Sequence, residues 1–239
     1  LDRASCLAGT PLRGDGFDFV QDFGAQLPSM VISELLGVPE DQREEVRHAI
    51  DDTFHLEPGV GMINDFALEA RIRLWEHLQG LIDDRRANPR DDMITDLVQA
   101  EMTEEGGSTR RLNDGECAGF VNLLVSAGTE TVARLLGWAA FLLDDHPAQR
   151  AELAADATLL PNAVEELLRF EAPSPVQGRW TTREVELHGT TIPQDSKVLL
   201  LTGSAGRDER KYPDAGRFDI HRAFDHHVSL GYGIHFCIG

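Results

Sequence analysis

Positive charge is scarce in this chain of 239 residues. Lys and Arg together number 22 against 41 Asp and Glu, for a net charge of −19. That balance disfavours a general role on nucleic acid or on an anionic membrane surface, while leaving room for a local basic patch facing an acidic protein partner. Cysteine is scarcer still. Cys6, Cys117 and Cys237 form an odd, widely spaced set, which argues against a disulfide framework and fits a reducing cytoplasm. No clean apolar run of membrane-spanning length exists. The longest, residues 120–143, is broken by Asn122, Glu130 and Arg134 and reads as a buried helix with no membrane anchor. Internal repeats and low-complexity segments are also lacking. No basic-then-apolar leader opens the chain, and residue 1 is Leu rather than Met, so the true N-terminus is expected to be missing.

What remains is ordinary globular composition, 41% hydrophobic and 26% charged. Residues 2–7 read as the tail of a helix and residues 9–16 as a loop. From Phe19 the pattern is helical. Met30, Val31, Leu35 and Leu36 make an apolar stripe that Gly37 and Pro39 close. Pro39 opens a polar helix to about Phe54, with Glu40 and Asp41 favourably placed in its first turn. After a Gly/Pro loop at 57–62, a long amphipathic helix presents Phe66, Ile72, Trp75, Leu78 and Ile82, and ends at Asn88-Pro89. A short helix follows at 93–101, capped by Asp91 or Asp92, and then a polar loop at 104–111. Asn113 or Asp114 caps the longest helix, about 115–143, expected to be buried on nearly all sides. Pro147 and Asn162 start two more, the second reaching Phe170. Residues 184–192 read as a hairpin around His188-Gly189, and 197–201 as one more strand. Residues 204–227 form a long charged loop of the kind that usually serves function. With no convincing linker, residues 1–239 read as one mainly α domain with a small β component (α+β).

Three stretches could carry chemistry. The long helix contains Ala127-Gly128-Thr129-Glu130-Thr131. A glycine inside a helix costs about 1 kcal/mol against Ala, and a buried carboxylate costs several kcal/mol unless paired. Either this is an exposed face whose threonines bond back to their own helix, or the helix widens where a ligand touches it and an acid–alcohol pair moves protons. Leu123, Leu124, Leu135 and Leu136 argue for burial. In Glu166-Leu167-Leu168-Arg169 the charged residues share a helix face and can pair, with Arg217 available as a second cation for Glu166. The chain then ends in Leu230-Gly231-Tyr232-Gly233-Ile234-His235-Phe236-Cys237-Ile238-Gly239. Its glycines allow backbone shapes other residues resist and let the chain lie against a flat ligand. Cys237 could be a nucleophile, a haem ligand, one of a zinc set with His226, His227 and His235, or a plain buried thiol.

The order of these motifs, together with Arg179 in Gln177-Gly178-Arg179-Trp180 and the stretch Tyr212 to Phe218, resembles the cytochrome P450 family in its soluble bacterial form, over about residues 19–239. The resemblance implies a P450-like helical fold and a haem (iron protoporphyrin IX) cofactor with Cys237 as its proximal iron ligand. It places Gly231, Gly233 and Gly239 in the haem loop and His235 and Arg179 at the haem propionates. Glu166, Arg169 and Arg217 match a buried charge network, and Glu130 and Thr131 match the pair that delivers protons to dioxygen. Leu124, Ala127, Gly128, Val176 and Gln177 fall near the substrate. The implied activity is monooxygenation: one atom of O2 enters a small apolar organic substrate, with electrons from a ferredoxin-type donor. Three departures stand out. Leu230 replaces the usual Phe, the N-terminal portion is absent, and the chain stops two residues past the cysteine. An incomplete fold, truncated at both ends, is therefore expected, with a haem-free, non-catalytic fragment as the alternative.

Overall fold

A computed structural model describes residues 16–239 apart from 62, 105 and 224. The helix tail expected at 2–7 and most of the loop after it lie outside the described residues. The chain divides within its longest helix into two compact units, up to Ala133 and from Arg134 onward, each taken here by itself.

In the first unit a π-helical turn, Val20–Gly24, leads to α1, Gln26–Leu36. Gly37 ends α1 in the left-handed conformation, with φ at 78°. The Val38 amide then reaches back to the Ser33 carbonyl at 2.8 Å, a Schellman-type close that glycine makes without strain. A 3-10 turn, Glu40–Gln42, feeds α2, Arg43–Thr53. Helix α3 spans Asp65–Ala87, capped by the Asn64 side chain on the Ala67 amide. Helix α4, Met93–Gln99, is capped by Asp92 on Thr95.

Residues 104–111, expected as a loop, belong instead to a hairpin. Strands β1, Glu101–Thr103, and β2, Thr109–Arg111, pair antiparallel with Glu101 opposite Arg111. Helix α5, Asp114–Asp145, follows at once. Its start is a capping box: the Glu116 amide donates to Asn113 Oδ1 and the Asn113 amide to Glu116 Oε2, both at 2.9 Å. The same Glu116 takes both Arg110 Nη atoms at 2.7 Å, so the hairpin is tied to the helix start. The Arg110 guanidinium, with the Asn113 amide, pulls the Glu116 carboxyl from 4.5 to about 2. Because the folded value is the depressed one, this support is complete above pH 4.5 and disappears as pH falls toward about 2. Protection of the β2 amides, taken relative to their intrinsic exchange rate at each pH, is accordingly expected to fall across that window, and an Arg110→Gln variant to show no such step.

The core of this unit is built by Leu36, Val46, Ile50, Leu74, Leu78, Ile82, Ile94, Val121 and Val125. The apolar stripes mark the buried faces only in part: Leu36, Leu78 and Ile82 are buried as expected, and the rest of each stripe is not. On α1 it is Pro28, Ser29, Ser33 and Leu36 that turn inward, while Val31 and Leu35 are exposed. On α3 the buried row is Ala67, Ala70, Leu74, Leu78, Leu81, Ile82 and Arg85, and Phe66, Ile72 and Trp75 are exposed. Small residues at i, i+3, i+4 spacing let these helices approach closely, and that spacing decides the inner face. Helix α5 buries Cys117, Ala118, Val121, Val125, Thr129, Ala133 and Leu142, and exposes Phe120, Leu123, Trp138 and Phe141. It is therefore not buried on nearly all sides. Among the described residues, no helix is long and apolar enough to cross a membrane.

One buried cation organises this unit. Arg85 donates to the Gly37 carbonyl, to Asp84 and to Asp92. It joins the end of α1, the last turn of α3 and the cap of α4. A side chain on Gly37 would collide with the Asp92 carboxylate.

The second unit takes the last turns of α5, then α6, Pro147–Ala155, and α7, Leu160–Phe170. Strand β3, Gln177–Trp180, which the sequence reading missed, pairs antiparallel with β6, Lys197–Leu200. Between them, β4, Val185–Leu187, and β5, Thr190–Ile192, form the expected hairpin. Its two turn residues, His188 and Gly189, both have positive φ, 50° and 76°, as a tight type I′ turn requires. A short helix α8, Thr202–Ala205, precedes the irregular stretch. That stretch is held by side chains rather than by a ladder: Gln149 bonds the Phe218 carbonyl and Ile220 amide, and Asn162 bonds the Ile220 carbonyl. Leu142, Ala163, Leu167, Phe218 and Ile220 form the core here.

Candidate functional site

Glu130 and Thr131 lie on α5 in the first unit. Residues 127–131 remain α-helical, so the expected widening is not found. The hydroxyls bond back within the helix: Thr129 Oγ1 donates to the Val125 carbonyl at 3.0 Å and Thr131 Oγ1 to the Ala127 carbonyl at 2.8 Å. Gly128 has a packing reason as well, since a Cβ there would sit 3.3 Å from Ile32 of α1. Ala127 is exposed, and Leu124 is half-buried against the core. Glu130 and Thr131 are both half-buried. Burial pushes the Asp51 carboxyl of α2 upward; Arg47 opposes this, and the nearby Glu130 charge adds to it. Asp51 is itself bound by Arg47 at 3.1 Å. The sequence offered no signal for this acidic neighbour of Glu130.

The charge network of the second unit is buried as expected. Arg169 Nε and Nη2 grip the two Glu166 oxygens at 2.6 and 2.8 Å, with both side chains fully buried. The remaining guanidinium donors serve backbone carbonyls: Nη1 reaches Gly206 at 2.6 Å and Ala215 at 3.0 Å, and Nη2 also reaches Arg217 at 3.3 Å. A side chain on Gly206 would overlap the Arg169 carbonyl. The second cation on Glu166 is not the expected Arg217, whose side chain is 67% exposed and pairs with Asp219 at 3.2 Å. Arg222 takes that place, with Nε on Glu166 Oε1 at 3.2 Å and its Nη atoms on the carbonyls of Pro213, Asp214 and Arg217. Arg217 therefore contributes a carbonyl and not its charge. A second arginine five residues on, in the same charged stretch, was the available signal.

The terminal loop hangs on its glycines. Gly231, Gly233 and Gly239 have φ of 81°, 78° and 141°, and a 3-10 turn carries Gly233–His235. The Phe236 amide donates to Gly233 O and the Cys237 amide to Leu230 O at 2.9 Å. Cys237 is exposed, whereas Cys117 is buried. Beside the thiol, Ile234, Ile238 and Phe236 stand exposed, a cluster of apolar side chains that a soluble surface does not ordinarily leave bare. Arg179 on β3 is exposed, its guanidinium bonded only to its neighbour's carbonyl among the bonds described, and His235 is exposed too. Val176 is exposed, and Gln177 donates to Ser174 Oγ at 2.7 Å. The zinc set does not assemble. His226 pairs with Asp225 and His227 with Glu165, and no metal-holding group of three or more His, Cys, Asp or Glu occurs among the described residues.

A single soft donor on a glycine loop, flanked in sequence by exposed Ile234, Phe236 and Ile238, fits haem better than any purely inorganic ion. A cytochrome P450 family model matches residues 42–239, and the chain belongs to that family. It is 37% identical over 240 residues to putative cytochrome P450 123 of Mycobacterium tuberculosis, covering all of this chain and 58% of that protein. To the cytochrome P450 monooxygenase PikC of Streptomyces venezuelae it is 39% identical over 224 residues, 93% of this chain and 51% of the relative. The ligand-free structure of cytochrome P450 TbtJ1 superposes with a TM-score of 0.88 at 36% identity, covering all of this chain and 62% of that one. The chain thus spans little more than half the length of the curated relatives it matches.

Proposed function

We propose that this chain supplies the cysteine loop and proton-handling helix of a cytoplasmic haem-thiolate monooxygenase, which inserts one atom of O2 into a small apolar organic substrate with electrons from a ferredoxin-type donor. The exposed Cys237 on its glycine loop is the observation that carries this reading. When bound, haem would supply the oxygen chemistry, and a thiolate ligand would favour O–O cleavage by donating electron density to iron. Cys237 gives that thiolate. Gly231 and Gly233 keep the loop backbone clear of side chains, and Ile234, Phe236 and Ile238 cover an apolar ligand and keep water from the sulfur. Arg179 and His235 pair with the acidic edge groups. The Glu166–Arg169–Arg222 network fixes the segment that leads to the loop. Glu130 holds a proton and Thr131 passes it from its hydroxyl. By the family resemblance, Leu124, Ala127 and Gly128 in the first unit and, separately, Val176 and Gln177 in the second are substrate-proximal positions.

The test is spectroscopic. Protein loaded with haemin, reduced and exposed to carbon monoxide is expected to give the red-shifted Soret band of a thiolate ligand. Its absence would favour the other reading, a haem-free fragment without catalysis, which the bare apolar side chains of the loop also allow. In an active enzyme, Thr131→Ala is expected to lower product formed per electron and to raise peroxide release, measured as substrate turnover against reductant consumed. Full turnover driven by hydrogen peroxide, unaffected by Thr131→Ala, would contradict the role given to the Glu130/Thr131 pair.

A further inference from the structure

Helix α7 carries two adjacent carboxylates with separate tasks. Glu166 holds the buried network. Glu165, half exposed, binds a different target: its Oε2 lies 2.9 Å from Nε2 of His227, a ring that is only 3% exposed. The other ring nitrogen, Nδ1, receives the backbone amide of Ser229 at 3.3 Å. An amide N–H can only donate, so Nδ1 is the acceptor and bears no proton. The ring proton is then on Nε2 and goes to Glu165. The Ser229 hydroxyl also donates to the Leu168 carbonyl of α7 at 2.6 Å. One residue later, the Leu230 carbonyl accepts the amide of Cys237 at 2.9 Å, while the Gly231 amide closes back on Val228 at 3.0 Å.

We infer that Glu165 and His227 are positioning residues for the cysteine loop, passing the location of α7 through Ser229 and Leu230 to the Cys237 amide. The inference rests on the haem-thiolate reading for its purpose, not for its geometry. A buried imidazole oriented by a carboxylate on one nitrogen presents the other as a fixed acceptor. A loop whose own glycines leave it conformationally free needs such an external reference, because the sulfur must be held close to its productive position.

Two readouts separate the brace from the haem reading. In the haem-free chain, His227→Leu removes both bonds, and His227→Gln keeps a group for Glu165 but loses the acceptor facing Ser229. His227→Asn does the opposite, placing its amide oxygen where Nδ1 stood. Exchange of the Ser229 and Cys237 amides is expected to quicken about tenfold in the Leu and Gln variants, the scale of one lost hydrogen bond. The Asn variant, which lacks the Glu165 contact, is expected to bring it back to the level of Glu165→Ala, and amides of α2 and α3 to stay unchanged as a check on folding. In haemin-loaded protein, the thiolate fraction of the reduced carbon monoxide complex is expected to fall in Leu and Gln and to recover in part in Asn. Glu165→Ala, at a half-exposed site that tolerates change, is expected to move both readouts in the same direction by a smaller factor. Unchanged exchange at Cys237 in both His227→Leu and Glu165→Ala overturns the proposal. If the unaltered protein binds haemin without a thiolate band, the haem-thiolate reading fails while the exchange comparison still decides the brace.

Discussion

Replacing Arg169 by Leu is expected to destabilise the second unit severely. Glu166 would be left fully buried with only the Asp219 amide at 2.9 Å and Arg222 at 3.2 Å to meet its charge. The carbonyls of Gly206 and Ala215 would lose their donor as well. Breaking a buried ion pair from one side costs about 3–5 kcal/mol, against a typical net stability of about 5–15 kcal/mol. Urea denaturation followed by the fluorescence of Trp138 and Trp180 measures it. The other two arginines grade the assignment. Arg222→Ala removes charged hydrogen bonds and is expected to cost about 1.5–3 kcal/mol. Arg217→Ala, at an exposed side chain, is expected to stay within about 0.5 kcal/mol. A larger effect at Arg217 than at Arg222 would refute the placement of the second cation.

Cys237→Ser is expected to remove the thiolate Soret band altogether while leaving the fold intact. The sulfur is exposed, and its described hydrogen bond is a long one, 3.6 Å to the Gly239 carbonyl, so little packing is lost. A hydroxyl does not ionise near neutral pH and cannot replace the thiolate as a donor to iron. Urea midpoints equal to those of the unaltered chain, together with an absent band, are the expected pair of results. A band that survives in Cys237→Ser, or one that disappears in Cys117→Ser, would move the ligand elsewhere. If His235 and Arg179 hold the acidic edge of the ligand, as proposed, His235→Ala and Arg179→Ala are expected to weaken haemin retention without changing the position of the band.

How far the sequence could be read depended on whether the physics was local. Caps and turns were legible: Gly37, Pro147 and the His188-Gly189 turn act within a few residues and lie where expected, and of the paired cap candidates Asp91/Asp92 and Asn113/Asp114 the structure uses Asp92 and Asn113. The Glu166–Arg169 pair was legible for the same reason, being one helical turn. The partner of that pair was not. Arg217 and Arg222 are both arginines in a loop, and which of them turns inward is decided by backbone geometry that no spacing reveals. The β1–β2 hairpin was hidden because its residues are polar and charged on both faces, leaving no alternation to detect. The inner faces of α1, α3 and α5 were partly misread because large apolar residues occupy more than one face, while the faces that pack are marked by Ser29, Ser33, Ala67 and Ala70. Small size, not hydrophobicity, was the signal there. Asp51 beside Glu130 and the Arg85 network join residues far apart in sequence, beyond the reach of local patterning.

Arg85 also sets how the first unit assembles in time. Its guanidinium is fully partnered only when the Gly37 carbonyl, 48 residues away, joins the Asp84 carboxylate next to it in the chain and that of Asp92 seven residues on. Any state that has gathered two of them holds a partly desolvated cation without full recompense, and so lies uphill of both ends of the reaction. The joining of α1, α3 and α4 is thus a single late step. Substitutions at Arg85 are expected to speed unfolding far more than they slow folding, the mark of contacts that form after the rate-limiting barrier.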